Sequence, residues 1–216
     1  SAHIQEKEAE WANLAKRKKR GMLKTESAPL YTVNQARDFL RRLKPYDYGA
    51  EVAPDDRVRA RFRDAGHILG SAIIEVWLDE GVATRKLVFS GDLGQPGRPL
   101  MNDPEPIAEA DILLVESTYG NRLHKGLPET VEELVHAVND TVVRKKGNVV
   151  IPAFAVGRTQ EILYLLVDLI RQERIPGNTA IFVDSPMAQK ATHLTLKHWH
   201  LLDKESKELL EWGKEN

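Results

Sequence analysis

The chain has 216 residues, of which 42% are hydrophobic and 29% charged, as in ordinary globular domains. Thirty-one Lys and Arg residues balance 32 Asp and Glu residues, so the net charge of −1 does not by itself indicate nucleic-acid binding. The overall charge does not exclude a basic channel at one place on the surface. No apolar run approaches the roughly 18 residues of a membrane helix. The charged N-terminal stretch lacks the apolar segment of a signal peptide, which favours a cytoplasmic protein. Cysteine is absent, so a metal ion would need His, Asp or Glu ligands.

The first part of the chain is predicted to contain two helices. Apolar residues at helical spacing indicate a helix over residues 4–20, which ends in the basic run 16–20 before Gly21. Cations in a last turn followed by glycine are typical of a helix end, and a nucleic-acid patch is the alternative interpretation. The second helix is predicted to begin at Thr32, with Gln35 at capping-box spacing.

Alternating apolar and charged residues then predict an antiparallel meander with strands near residues 57–63, 72–78 and 86–89. The pattern changes after about residue 110. Short apolar segments there alternate with amphipathic ones, which indicates βαβ units and a parallel sheet. The predicted strands cover residues 111–116, 148–152 and 179–184, and the predicted helices cover 129–146 and 158–173. The fold class is therefore predicted to be α/β, with a β-rich part followed by an α/β part.

Two residues lie in glycine-rich breaks beside predicted strands. His67 is exposed by the break Asp64–Ser71, and glycines there would let the backbone bring its ring close to a ligand. Asp92 follows a strand and lies between two glycines, a suitable place for a metal ligand or a general base. The alternatives are a structural histidine and an aspartate that only stabilises a turn.

Glu116 is predicted to end an apolar strand. In α/β sheets, residues at the carboxyl ends of strands face the ligand crevice, and Asp92 and Asp184 take similar places. His124 lies in the loop after Glu116, and no role is assigned to it. Since loops are generally polar, coincidence remains an alternative explanation for this set.

Two predicted helices begin in a way that suits anions. Gly157 and Arg158 open one helix, and Ser185 followed by Pro186 opens the next. Free N–H groups at a helix N-terminus bind anions, and an arginine adds a fork for phosphate. Ordinary helix capping is the alternative for both.

Five segments, in order, resemble the β-CASP branch of the metallo-β-lactamase superfamily, whose members are RNA-processing nucleases related to ribonuclease J and to the endonuclease of pre-mRNA cleavage and polyadenylation. They are "DAGHILGSA", "FSGDLG", "VESTYGNRLH", "IPAFAVGRTQEIL" and "VDSPMA". The N-terminal "SAHIQEKEAE" also resembles the helix that follows the first metal motif in bacterial members. The resemblance implies a partial metallo-β-lactamase fold, an antiparallel-rich sheet with helices, in residues 1–115. Residues 116–216 would form the first part of a β-CASP α/β domain with parallel strands.

The resemblance also implies roles for individual residues. His67 would bind one zinc ion, Asp92 would bridge two, and Glu116 would lie near the scissile phosphate, so that Asp92 and Glu116 are the expected catalytic residues. Three positions would line the path of the RNA backbone: Gly157, Arg158 and Ser185. The implied activity is zinc-dependent hydrolysis of phosphodiester bonds in RNA, with RNA as the partner and a homodimer as one expected assembly.

The resemblance is incomplete in one respect. The HxHxDH motif that supplies most zinc ligands in the family is absent, as are the later histidine motifs. We therefore expect this chain to be an incomplete and inactive piece of a nuclease. A non-catalytic paralogue that binds RNA or a protein partner is the main alternative. A small-molecule hydrolase of the metallo-β-lactamase type would not explain the α/β part.

Overall fold

The computed structural model describes residues 2–20, 26–123 and 125–215. Its helices are α1 (Ala2–Arg20), α2 (Val33–Leu40), α3 (Leu127–Asn139), α4 (Arg158–Arg171), α5 (Pro186–Lys197) and α6 (Lys204–Glu215). A π-helical turn, Asp140–Arg144, extends α3, and a 3₁₀ turn, Trp199–Leu201, precedes α6. The strands are β1 (Glu51–Asp55), β2 (Val58–Asp64), β3 (Ala72–Asp79), β4 (Thr84–Phe89) and β5 (Ile112–Leu114). No helix in these ranges is long and apolar enough to cross a bilayer.

The chain divides into two compact units, Ser1–Tyr46 and Asp47–Asn216. The predicted domain boundary between residues 115 and 116 lies within the second of these units, and it stays a prediction. The first unit contains α1 and α2, and it confirms the predicted capping box. The Gln35 N–H donates to the Thr32 hydroxyl over 3.2 Å, and the Thr32 N–H donates to the Gln35 side chain over 2.8 Å. Gly21 and the side chains of residues 17–20 lie outside the described part, so neither interpretation of the basic run is tested.

The second unit is built on a five-stranded sheet in the order β1-β2-β3-β4-β5. The first four strands are antiparallel, as the alternation predicts, and β5 joins β4 in parallel. Strand β1 was not predicted, because Pro54 and its charged neighbours are unfavourable in a strand interior. It is nevertheless accommodated at the sheet edge, with a register shift between Val52 and Asp55.

Three predicted strands differ from the structure. Residues 148–152 and 179–184 form no strand, and the strand predicted at 111–116 is shorter in the structure, where it is β5. Val150 and Phe182 are 86% and 87% exposed, and the β5 residues are exposed as well. Apolar β-branched composition favours an extended chain, but a strand also needs a neighbouring strand with which to exchange hydrogen bonds. Residues 148–152 and 179–184 have no such neighbour in the described chain, so the parallel part of the sheet is limited there to the β4–β5 pair.

Two apolar clusters form the core of the second unit. The first joins Ala65, Ile73 and Val88, with Leu93 and Ile107 packed against it. Because Ala65 and Leu93 neighbour the loops that carry His67 and Asp92, this cluster anchors both loops. The second cluster packs α3 against α4 through four buried residues: Val138, Leu166, Leu169 and Ile175.

Glu75 is the main buried charge of the sheet. It is 2% exposed and pairs with Lys86 at 2.7 Å, Arg61 at 2.8 Å and Arg63 at 3.0 Å. Burial raises the pKa of Glu75, but the hydrogen bonds from Lys86, Arg61 and Arg63 outweigh this effect and lower the pKa from 4.5 to about 2. The carboxylate therefore stays charged and stabilises the fold only while its three cations surround it.

Glu75→Gln should destabilise the second unit by about 3–5 kcal/mol at neutral pH, because it leaves three cations around a neutral amide. A pKa lowered by folding contributes stability above the unfolded value of 4.5, and the contribution is lost as pH falls toward 2. Urea unfolding should therefore show a constant difference between wild type and variant from pH 7 to about pH 5, which narrows by pH 3.

Glu51→Gln is the matched control, because Glu51 pairs with Arg59 at 3.2 Å while both side chains are half exposed. Its effect should stay below about 1 kcal/mol. Equal effects of the two substitutions would contradict the central role of Glu75.

Candidate functional site: three loops at one end of the sheet

The loop between β2 and β3 has a fixed backbone and an exposed histidine. Gly66 and Gly70 adopt φ values of +63° and +84°, which favour glycine. The Ser71 hydroxyl accepts hydrogen bonds from the N–H groups of His67 at 3.1 Å and Ile68 at 3.2 Å. These contacts hold the main chain and leave the His67 ring accessible.

The loop after β4 is tied to the segment after β5. The N–H of buried Ser90 donates to the Leu114 carbonyl, and the Ser90 hydroxyl accepts the Glu116 N–H over 3.0 Å. The Glu116 side chain in turn accepts the Leu93 N–H over 2.6 Å. Asp92 is exposed and is the residue immediately before Leu93 in the chain. The Glu116 carboxylate is therefore held against the loop that carries Asp92.

The His67 loop and the Asp92 loop cross at their backbones. The Gly94 N–H donates to the Ala65 carbonyl over 2.7 Å. A Cβ atom on Gly94 would lie 1.9 Å from the Gly66 carbonyl oxygen, so Gly94 has no room for a side chain. The three predicted residues His67, Asp92 and Glu116 thus lie on loops that touch one another.

The electrostatics of Glu116 also connect it with His67. The hydrogen bond from the Leu93 N–H contributes most to lowering the pKa of the Glu116 carboxyl, followed by the Thr118 hydroxyl. Partial burial opposes the shift, and the charge of His67 lowers the pKa further. Glu116 is therefore an ionised hydrogen-bond acceptor near His67 at neutral pH.

The start of α4 lies beside the His67 loop. Gly157, with φ +82°, is the residue before α4, and a Cβ atom there would lie 3.0 Å from the Ile68 side chain. Arg158 is the first residue of α4, and its side chain is 53% exposed. This contact brings the predicted Gly157–Arg158 segment next to the loop of the predicted metal ligand.

The start of α5 is joined to α4 through Gln160, a residue that sequence reasoning missed. Gln160 is 6% exposed, and its side-chain oxygen accepts the Gly157 N–H over 2.8 Å. Its amide nitrogen donates to the Thr192 hydroxyl at 2.9 Å and to the carbonyls of Ala155 and Ala188 at 3.2 and 3.4 Å. The sequence could have indicated this role, because Gln160 is three residues after Gly157, the spacing of a capping box at the start of a helix.

Ser185 has the predicted local role. Its hydroxyl accepts the Ala188 N–H over 3.2 Å, and Pro186 is the first residue of α5. The capping prediction is therefore confirmed, while contact of Ser185 with RNA stays a prediction. His124 lies outside the described residues.

His67 and Asp92 have the right donor types for zinc, but their number is too small. Within residues 2–20, 26–123 and 125–215, no group of three or more His, Asp or Glu side chains is close enough to hold a metal ion. Zinc sites in proteins use three or four protein ligands. These two residues could contribute to a zinc site, and the described part of the chain does not form one alone.

A cleft of roughly 800 Å³ lies elsewhere in the second unit. The segment 97–103 and helices α3, α4 and α6 line it, and His67, Asp92 and Glu116 do not. The side chains of His67 and Asp92 are exposed on their loops.

Comparison with known proteins gives consistent matches. The Beta-Casp domain family matches residues 159–216. Ribonuclease TTHA0252 of Thermus thermophilus is 38% identical over 172 residues, which is 80% of this chain and 38% of that protein. Transcription termination factor FttA of Methanosarcina mazei is 33% identical over 79% of this chain, and endoribonuclease YSH1 of Eremothecium gossypii is 32% identical over 74%.

The chain belongs to the β-CASP branch of the metallo-β-lactamase superfamily. The resemblance carried by the five sequence segments is thereby confirmed. The chain spans less than half the length of these relatives: 38% of the ribonuclease, 26% of FttA and 21% of YSH1. In this β-CASP chain, the family match begins at Thr159, one residue after the Gly157–Arg158 segment.

Gly94→Ala should destabilise the β-CASP chain by about 3 kcal/mol or more, because the new methyl group would force apart the two crossing loops. Urea unfolding measures the cost. Gly177→Ala is the matched control, since a Cβ atom there meets nothing within 4 Å and the change should stay within about 0.5 kcal/mol. A Gly94→Ala variant as stable as Gly177→Ala would show that the loops do not cross as described.

Proposed function

We propose that the protein hydrolyses phosphodiester bonds in RNA, and that this chain supplies one part of the reacting surface. The observation that carries the proposal is the meeting of the three loops. Glu116 is hydrogen-bonded to the residue after Asp92, the Gly94 N–H joins that loop to Ala65 at the start of the His67 loop, and Gly157 contacts the His67 loop. Relatives named ribonuclease and endoribonuclease support the same activity.

The residues of this chain have separate roles in the proposal. The exposed side chains of His67 and Asp92 would contribute ligands to zinc, which when bound supplies Lewis-acid stabilisation and an acidified water. Glu116, fixed by the Leu93 N–H and ionised, would accept a hydrogen bond near the scissile phosphate. Because the described residues bring together fewer than three ligands, we infer that this chain alone does not cleave RNA.

The helix starts would hold the polymer. The N-terminus of α4 presents the exposed guanidinium of Arg158, and Ser185 opens α5 nearby in the fold through the Gln160 link. The N–H groups of Gly157, Arg158 and Thr159 are hydrogen-bonded within the chain, so the contribution of this helix start comes from the arginine. Such a surface suits a chain of phosphates. A cytoplasmic location and a homodimer are parts of the same proposal that rest on the sequence and the family resemblance.

The test is Asp92→Ala in the protein expressed from the whole gene, with single-stranded RNA as substrate. Cleavage should fall by at least about 10³-fold, because an aspartate that contributes to a metal-assisted reaction cannot be replaced by alanine. RNA binding, measured separately, should persist. The matched control is Asp56→Ala, at the exposed turn beyond the opposite end of β2, which should cleave normally.

Cleavage by Asp92→Ala at the wild-type rate would remove Asp92 from the reaction. If the wild-type protein binds RNA without cleaving it, the non-catalytic alternative is correct instead.

A further inference from the structure

Glu161 binds two arginines from distant parts of the chain. One oxygen of its carboxylate, Oε1, accepts from Arg98 Nη1 at 3.2 Å, and the other, Oε2, accepts from Arg158 Nη1 at 2.6 Å. The Glu161 side chain is only 15% exposed, whereas those of Arg98 and Arg158 are 29% and 53% exposed. The Glu161 carboxylate is therefore more buried than the guanidinium groups that it binds, one partly exposed and one exposed.

One arginine, Arg158, lies beside the His67 loop of the candidate site, and the other, Arg98, lies farther along the segment after Asp92, where it lines the cleft described above. Arg98 follows Asp92 in the segment between β4 and β5, and its Nε donates to Gln95 over 3.1 Å. Arg158 follows Gly157, which contacts the His67 loop at Ile68. Glu161 thus connects the segment that carries Asp92 with the start of α4.

The charges of this cluster do not cancel. Two guanidinium groups share one carboxylate, so the cluster keeps one net positive charge. Each guanidinium has five N–H donors, and the bonds to Glu161 and Gln95 use few of them. An isolated exposed ion pair is worth little to stability. A carboxylate that fixes the spacing of two arginines prepares them for paired contacts with phosphate oxygens.

We propose that Arg98 and Arg158 form a clamp for backbone phosphates of single-stranded RNA and that Glu161 is its positioning residue. This inference rests on the proposed function, which makes RNA the ligand. It adds Arg98 and Glu161, which neither the sequence motifs nor the three-loop geometry had assigned.

The test measures binding of a fluorescein-labelled 12-nucleotide oligouridylate to the protein expressed from the whole gene, by fluorescence anisotropy over a series of KCl concentrations. EDTA is present, and gels confirm that the RNA stays intact. Arg98→Gln and Arg158→Gln should each weaken binding about tenfold at low salt, as expected for loss of a charge-assisted contact. Each should also reduce the slope of log K against log salt by about 0.7.

Arg85→Gln is the matched control for loss of one positive charge. Arg85 is 53% exposed and pairs with Glu80 at 3.1 Å, near the end of β4 opposite to the Asp92 loop. Its substitution should leave the slope unchanged. An Arg98→Gln variant with the affinity and slope of wild type overturns the clamp.

The direction in which Glu161→Gln changes the affinity for RNA distinguishes a positioning role of Glu161 from simple neutralisation of the arginine charges. Removal of a negative charge beside a phosphate site should tighten binding if the carboxylate only cancels charge. Loss of positioning should weaken binding, and Glu161→Asp, which keeps the charge but shortens the side chain, should weaken it as well. Tighter binding by Glu161→Gln overturns the positioning role.

The two proposals fail in different ways. A wild-type protein with no salt-dependent binding of oligouridylate contradicts the proposed function and the clamp together. A wild-type protein that binds, with arginine variants that bind equally well, contradicts the clamp alone.

Discussion

The crossing of the Ala65–Gly66 backbone with Gly94 is the constraint on which the candidate site depends. It leaves no space for a Cβ atom on Gly94. The hydrogen bond of this crossing runs from the Gly94 N–H to the carbonyl of Ala65, which belongs to the apolar cluster with Ile73 and Val88. The sheet below thus fixes two exposed side chains, His67 and Asp92, on touching loops. Packing of the buried core therefore fixes the positions of polar side chains that themselves contribute little to the stability of the fold.

The same principle extends from the sheet to the helices. Glu116 is fixed to the Asp92 loop by the Leu93 N–H, and Gly157 is fixed to α4 and α5 by buried Gln160. A buried amide with four partners is costly to leave unsatisfied, so Gln160 favours one arrangement of the two helix starts. Glu161, one residue later, then joins α4 to the segment after Asp92.

Local patterns predicted the local structure well. Alternation predicted the meander β2–β4, and the caps at Thr32 and Ser185 were predicted from side-chain chemistry that acts within four residues. The strands expected at residues 148–152 and 179–184 were wrong, because strand formation depends on neighbours that local composition does not specify. Glycine breaks and strand ends indicated His67, Asp92 and Glu116. The roles of Gln160 and Arg98 come from contacts 32 and 63 residues away in sequence, which no local pattern contains.

The most direct test of the site is the zinc content of the protein expressed from the whole gene, purified without a metal-binding tag, compared with its His67→Ala variant. If His67 and Asp92 are ligands, the wild-type protein should carry about two zinc ions and His67→Ala clearly fewer, while both remain folded. The 216-residue chain alone should hold little zinc, since its described part brings together too few ligands. An unchanged zinc content in His67→Ala would contradict the assignment of the three-loop surface as part of a metal-dependent site.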